Sequence, residues 1–434
     1  MTEQQAERET QRAIEAAFRL EQARLIAGLT RIVRDVGLAE ELAQDALVVA
    51  LKHWPEDGVP RNPGAWLMLT AKRRAIDYFR RNKMAARKLD ELGYDLREEE
   101  QTAPDLDTPL DDDVGDDLLK LIFTSCHPAI SPEARVALTL RLLGGLTTDE
   151  IARAFLVPEP TVAQRIVRAK KNLAEAGLHF EVPRGPDRAE RVGSVLEVLY
   201  LIFNEGYTAT AGSDWTRPAL CDEAMRLGRV LAGLAPQEPE VHGLVALMEI
   251  QASRMRARTG ADGAPVLLLD QDRSTWDHML IRRGLEALGL AIDLGGAEGP
   301  YVLQASIAAC HARAHKAADT DWRAIAGFYD VLAGVTPSPI VELNRAVAHA
   351  MAFGPAHGLS LLEEVAGAPA LKEYHLLPSV RGDFLMKLGR MREAAAEFEN
   401  AAALTRNERE RILLLERAKS CAARAITAAL RKGM

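Results

Sequence analysis

Apolar positions in this chain recur at helical spacing wherever they can be followed, and the pattern predicts an all-α fold. In residues 146–172, LTTDEIARAFLVPEPTVAQRIVRAKKN, Ile151, Ala152 and Phe155 share one face of a first short helix. Val162, Ile166 and Ala169 share one face of a second. Thr147 or Thr148 can accept the first free N–H groups, and Asp149 and Glu150 suit the positive N-terminal end. Pro158 interrupts the turn, and Pro160 fits the opening turn of the second helix, where a missing N–H costs nothing. Thr161, Gln164, Arg165, Arg168 and Lys171 are left on the outer side. Two short helices so spaced, with cations and an amide outward, read as a helix-turn-helix able to lay its second helix in a major groove. A plain helical hairpin with a solvated charged face would carry the same local pattern.

A second amphipathic segment lies upstream. In residues 60–88 apolar positions recur at Trp66, Leu69, Ala71, Ile76 and Phe79, and from Lys72 onward there are eight Lys/Arg against one acid, Asp77. Cations neutralise phosphates, while aromatic rings offer flat surfaces to unpaired bases. Residues 10–89 hold fifteen Lys/Arg and nine Asp/Glu, a local surplus of cations in a chain of formal net charge −8. Residues 90–117 are the opposite, with thirteen Asp/Glu, one Arg97 and few large apolar groups. Such a tract cannot bury enough surface to offset its ordering entropy and reads as a linker.

This order of parts, a basic helical domain, an acidic linker and a helix-turn-helix, resembles the extracytoplasmic-function branch of bacterial RNA polymerase sigma factors over roughly residues 10–178. AEELAQDALVVALKHW (39–54) resembles the helix that docks on the polymerase, which implies contacts from Glu41, Leu42, Gln44, Asp45 and Val49. AWLMLTAKRRAIDYFRR (65–81) resembles the element that opens and reads the −10 promoter region, and Trp66, Leu67, Ala71, Asp77, Arg80 and Arg81 fall on its motif. Residues 131–173 resemble the −35-reading domain. Two positions depart from the pattern: Arg73 stands where the family usually has Asn, and Leu156 where the turn usually has Gly.

The resemblance implies a division of labour. Loop 59–63, with Arg61 and Asn62, would receive a base flipped from the melted strand, an extrusion that costs a few kcal/mol of stacking. Lys72, Arg73, Arg74, Arg80 and Arg81 would hold phosphates or the melted strand, while Gln164, Arg165 and Arg168 would reach −35 base edges and Lys171 a phosphate. The acidic linker would thread the polymerase's cationic RNA path. The implied partners are core RNA polymerase and promoter DNA; the polymerase performs the chemistry, so no enzymatic activity of the chain's own is expected.

Residues 185–434 exceed what a minimal member of that branch requires, and Pro183 with the RGPD run at 184–187 marks a boundary. LPSVRGDFLMKLGRMREAAAEFENAAAL (377–404) fits the tetratricopeptide pattern through Gly382, Leu385, Gly389, Ala394, Phe398 and Ala401, and a looser copy ends at Pro337 with Ile325, Tyr329 and Leu332 at packing positions. An α-solenoid of four or five hairpins is expected, with a generic helical bundle as the alternative. Its groove would engage a protein partner or the chain itself. The extension also resembles that of a sigma-factor subgroup with a C-terminal tetratricopeptide-like domain. Two stretches carry the likeness, 198–210 with Asn204, Glu205 and Tyr207, and 267–277 with Asp270, Gln271, Asp272, Arg273 and Trp276. These polar knots read as buried networks that fix hairpin packing, more readily than as a functional pocket.

Four scattered cysteines, without a C-x-x-C pair, indicate neither a zinc site nor a disulfide framework, and neither metal nor cofactor is expected. Without a signal peptide or a run long enough to span a bilayer, a cytoplasmic protein without membrane contact is expected. A one-component regulator joining a helix-turn-helix to a solenoid sensor would leave the 39–81 motifs unused. A solenoid scaffold with no DNA role would leave both basic segments unexplained.

Overall fold

The computed structural model describes residues 21–91, 114–155, 157–176, 180–185, 187–208, 216–260, 266–405 and 407–432, together with Ile14 and Phe18. It is helical throughout, without a β-strand among the described residues. The chain forms two compact units, Met1–Leu199 and Tyr200–Met434.

In the first unit, helix α1 (21–33) leads to α2 (Val36–Asp57) and α3 (Pro63–Glu91). Asp35 caps α2 through its side chain, which accepts from the Leu38 N–H, and α2 ends at Gly58, held at φ 80°, where a side chain would be strained. Leu25, Ile26, Leu29, Leu42, Ala46, Trp54, Leu67 and Ala71 are among the buried residues of this layer. The buried face of α3 is Leu67, Met68, Ala71 and Ala75, whereas Leu69 is 51% exposed. The expected stripe was therefore rotated at that residue: Leu67 and Met68 turn to the core, and Leu69 lies on the outside.

Helix α4 (Val114–Ser125) opens inside the expected acidic linker. Asp116 and Asp117 suit the positive end of a helix, and buried Asp117 pairs with Arg31 at 3.2 Å and Lys120 at 3.3 Å. The linker's last residues thus belong to a folded domain, because these acids have partners; the rest of the tract, 92–113, lies outside the described residues. Helices α5 (Pro132–Leu142), α6 (Thr148–Phe155) and α7 (Glu159–Glu175) follow, with α7 packed on both others. Helix α8 (Asp187–Tyr207) begins near the expected boundary, yet its first part stays with this unit. Arg191 donates to the Phe123 carbonyl (2.7 Å), Ser194 Oγ to the Cys126 carbonyl (2.5 Å), and buried Arg135 reaches Ser194 Oγ (2.6 Å) and Glu197 (3.0 Å). The Pro-rich run marks a break in helix, and the packing boundary lies further on.

The second unit is a succession of antiparallel helices, each packed on its chain neighbours: α9 (Pro218–Leu234), α10 (Pro239–Ala252), α11 (His278–Asp293), α12 (Pro300–Arg313), α13 (Trp322–Val335), α14 (Pro339–Phe353), α15 (Pro355–Val365), α16 (Leu376–Lys387), α17 (Met391–Leu404) and α18 (Glu408–Lys432). The 377–404 stretch forms the α16–α17 hairpin. Gly382 lets the Phe398 ring come within 3.0 Å of where a Cβ would stand, closer than an ordinary van der Waals contact, and Phe398 and Ala401 are fully buried. Gly389 turns the chain at φ 77°. The two polar knots are closed mainly by partners from other elements of the same unit. Glu205 is ion-paired to Arg217, and the Arg258 guanidinium lies 3.5 Å from the Tyr207 ring centroid. Arg273 donates to the His311 and Ala314 carbonyls (both 2.8 Å) and to Thr320 Oγ1 (3.0 Å), satisfying carbonyls left open at the end of α12.

Candidate nucleic-acid interface

The turn into α6 is a capping box. The Glu150 N–H donates to Thr147 Oγ1 (3.1 Å), and the Thr147 N–H donates to Glu150 Oε2 (2.7 Å). Thr147 is therefore the capping residue of the two candidates. Pro158 caps α7 and Pro160 sits in its first turn, while the Val157 N–H closes on the Ala152 carbonyl at 3.1 Å. Leu156, the departure in the turn, lies outside the described residues. Val162, Ile166, Ala169 and Leu173 are buried, which fixes the opposite face of α7 outward. On that face Gln164, Arg168 and Lys171 are exposed, and Thr161 and Arg165 are half-buried. Lys171 is 3.5 Å from Glu175, an exposed pair of small energetic weight.

On α3 the exposed side carries Arg73, Arg74, Asp77, Arg80 and Arg81, with Lys72 half-buried beside them. Arg81 Nε donates to the Asp77 carbonyl (3.2 Å). One helix thus presents five cations over ten residues against a single carboxylate, a surface suited to phosphates. Trp66 is half-buried and packs edge-on against buried Trp54, with centroids 5.2 Å apart. In the preceding loop Arg61 is exposed, whereas Asn62 Oδ1 accepts from the Ala65 N–H (3.1 Å) and so caps α3.

On α2 the five positions singled out for polymerase contact divide by burial. Glu41 and Asp45 are exposed, Gln44 and Val49 half-buried, and Leu42, 4% exposed, faces the domain core. Gln44 Nε2 donates to Glu40 Oε1 (2.8 Å). Glu40 itself carried no motif, yet it is tied to two distant helices: Arg141 of α5 donates to it at 2.6 Å, and Lys170 of α7 pairs with its other oxygen. Sequence reasoning missed it, because its partners lie more than a hundred positions away in the chain.

Nearby, burial and then the Arg191 charge push the His127 imidazole down to about 4, so it is neutral near pH 7. Burial raises the Cys126 thiol, whose Sγ lies 3.4 Å from Thr139 Oγ1. Among the described residues no cluster of three His, Cys, Asp or Glu is placed to hold a metal, and no helix is long and apolar enough to cross a membrane.

A capped helix-turn-helix with a polar outer face, together with a separate cationic helix flanked by aromatic rings, is the architecture of a DNA-binding protein. Residues 17–84 match the Sigma-70 region 2 family, residues 120–173 the Sigma-70 region 4 family, and residues 191–292 a family of unknown function (DUF6596). The chain is 43% identical over 387 residues to an uncharacterized protein of Rhizobium meliloti (strain 1021), covering 89% of this chain and 90% of that one. It is 29% identical over 180 residues to the ECF RNA polymerase sigma factor SigK of Mycobacterium sp. (strain KMS), covering 39% of this chain and 86% of the relative; the SigK of strain JLS matches equally. The chain thus carries regions 2 and 4 of the sigma-70 family followed by a DUF6596 domain, and it shares a family with the Rhizobium meliloti protein over nearly its whole length. Proteins with this pair of regions have core RNA polymerase and promoter DNA as partners.

Proposed function

We propose that the chain binds core RNA polymerase through α2, melts and reads the −10 region with α3 and loop 59–63, and reads the −35 region with α7. The observation that carries this is the outward set Gln164, Arg168 and Lys171 on α7, fixed by the buried Val162, Ile166 and Ala169, in the same chain as the cationic face of α3. Arg73, Arg74, Arg80 and Arg81 neutralise phosphates of the opened duplex, and Trp66 supplies a ring beside them. Leu42 supports the docking helix from inside, and Glu41, Asp45, Gln44 and Val49 make the contact. The DUF6596 domain and the hairpins after it, tetratricopeptide-like in α16–α17, regulate the sigma regions or engage a protein partner.

The test is reconstitution. Full-length protein mixed with core RNA polymerase should comigrate with it and direct transcription from its own promoters. Binding to duplex DNA without polymerase would instead favour a one-component regulator, and neither activity would leave a scaffold.

A further inference from the structure

The second unit encloses a cavity of about 390 Å³ between the start of that unit, the end of α10, the 266–277 segment and helices α12 to α14. Its volume lies in the range of small-molecule sites, roughly 300–1,000 Å³. The wall is chemically lopsided. It holds the Arg254 guanidinium, the rings of Tyr200, Trp276, Tyr329 and His311, several side-chain amides and an apolar patch including Ile250 and Ile307, but no carboxylate.

Other arginines of this unit have acidic partners: Arg229 and Arg283 meet Glu249, Arg345 meets Asp330, and Arg417 meets Asp383. Arg254 has no carboxylate within ion-pair distance among the described residues; its guanidinium faces the Tyr207 ring, 5.4 Å from the centroid. Two further guanidiniums, Arg258 and Arg273, are close enough to repel it, although Asp319 partly offsets the charge of Arg273. His311 adds no charge: burial, then Arg254 and Arg273, push it down to about 4.

Donors are also left over. Trp276 is 4% exposed, and its indole N–H makes no hydrogen bond to the protein; His311 Nδ1 likewise has no protein partner. A buried donor without an acceptor is costly, and an acceptor brought by an occupant offsets that cost. An unpaired guanidinium, a free indole N–H, a neutral imidazole and apolar and aromatic walls together select one kind of guest.

We propose that this cavity binds a small planar organic anion, its carboxylate or phosphate oxygens held by Arg254, by the Trp276 indole N–H and by His311 in the tautomer that carries its proton on Nδ1. The aromatic and aliphatic walls take the guest's apolar body. The 267–277 knot, whose Arg273 secures packing, therefore also supplies a binding residue, Trp276. The proposal stands apart from promoter recognition, because the site lies wholly within one unit and binding needs neither polymerase nor DNA.

Calorimetric titration of the full chain with benzoate, phenyl phosphate and benzyl alcohol tests it. At least one of the two anions should bind saturably at one site, and whichever binds more tightly names the head group. Benzyl alcohol, matched in shape but uncharged, should not. Arg254→Gln should weaken the anion about tenfold or more, as expected when a charge-assisted hydrogen bond is removed. The proposal is overturned if neither anion binds, if benzyl alcohol binds as well as benzoate, or if a folded Arg254→Gln chain binds unchanged. The comparison of benzoate with benzyl alcohol decides on the unaltered protein, even should that variant not fold.

Discussion

Arg141 Nε donates to Glu40 Oε1 across 2.6 Å, tying region 4 to the helix of region 2 that carries Glu41, Gln44 and Asp45. Glu40 is 3% exposed, and a carboxylate that deep persists only with its lone pairs engaged. Gln44 and Arg141 share one oxygen and Lys170 pairs with the other, so a single acid joins α2, α5 and α7. Helices α2 and α7 are held by the same group.

Glu40→Ala should therefore loosen region 4 from region 2, at a cost of roughly 2–4 kcal/mol, because it leaves two partly buried cations without their acid. Hydrogen–deuterium exchange reads this locally: amides of α5 and α7 should exchange faster, those of α10 to α12 unchanged. If removing Glu40 leaves α5 and α7 as protected as before, the shared carboxylate holds nothing.

The outer face of α7 predicts a graded promoter response. Arg168→Ala should cost about 1–3 kcal/mol of −35-dependent binding if the guanidinium meets a guanine in bidentate fashion. Arg165→Ala should cost a similar amount. Lys171→Ala should cost less and weaken all sequences alike, since a point charge beside Glu175 serves a phosphate better than a base. Open-complex formation on promoters with and without an altered −35 element separates these outcomes. Equal reductions on both promoters from Arg168→Ala would remove base reading from α7.

The face of α3 predicts a salt effect. Arg80→Ala with Arg81→Ala should lower the slope of log affinity against log salt by about one unit for each phosphate that is no longer neutralised. Affinity of the polymerase-bound protein for a promoter fork, measured across a salt series, reads that slope. An unchanged slope means that this face meets no backbone.

The helix-turn-helix was legible in the sequence because its causes are local. Thr147 and Glu150 cap each other three residues apart, and Val162, Ile166 and Ala169 follow one period, so spacing alone oriented Gln164 and Arg168. Where two adjacent apolar residues compete, periodicity decides poorly: Leu67 and Met68, with Ala71, take the core of α3, and Leu69 was displaced to solvent. Composition likewise misjudged the end of the acidic tract, since buried Asp117 is paired both with Lys120 and with Arg31, far away in the chain. Glu40 with Lys170, and Arg254 facing the cavity, depend on tertiary placement that no spacing encodes.

The buried imidazole of His311 gives the second unit a pH dependence. Its folded-state value, pushed down to about 4, lies below the ordinary 6.5, so below pH 6.5 the unfolded chain binds a proton that the folded chain refuses. The stability it contributes is present above pH 6.5 and is lost as pH falls toward 4. The melting temperature of the second unit should drop between pH 6.5 and 5, before most carboxylates titrate, and His311→Gln should flatten that part of the profile. His127 acts with the same sign in the first unit, so the two transitions must be followed separately. A His311→Gln profile that parallels the parent's would show that this ring is protonated as easily in the fold as outside it.

Where the sigma regions are cut from the extension decides whether region 4 keeps its buried hydrogen bonds. A chain ending near residue 180 keeps every residue of the region 4 match, yet it loses Arg191, Ser194 and Glu197. Arg135, 8% exposed, then loses both the hydroxyl and the carboxylate it donates to, and the Phe123 and Cys126 carbonyls lose their donors. Leaving such buried groups unpaired costs about 1–3 kcal/mol each, more for the charged one, against a domain stability of the same order as their sum. A cut after Tyr207 retains these hydrogen bonds. The shorter piece should be the less stable of the two in urea, with faster exchange in α4 and α5, and Arg135→Met should narrow the difference by removing the stranded charge. Loss of transcription by the shorter piece alone would then report a damaged region 4. Only a change that persists in the longer piece reports regulation by the helices beyond it. Equal stability of the two pieces would mean that α8 contributes nothing to region 4, and the boundary would return to the Pro183 break that the sequence suggests.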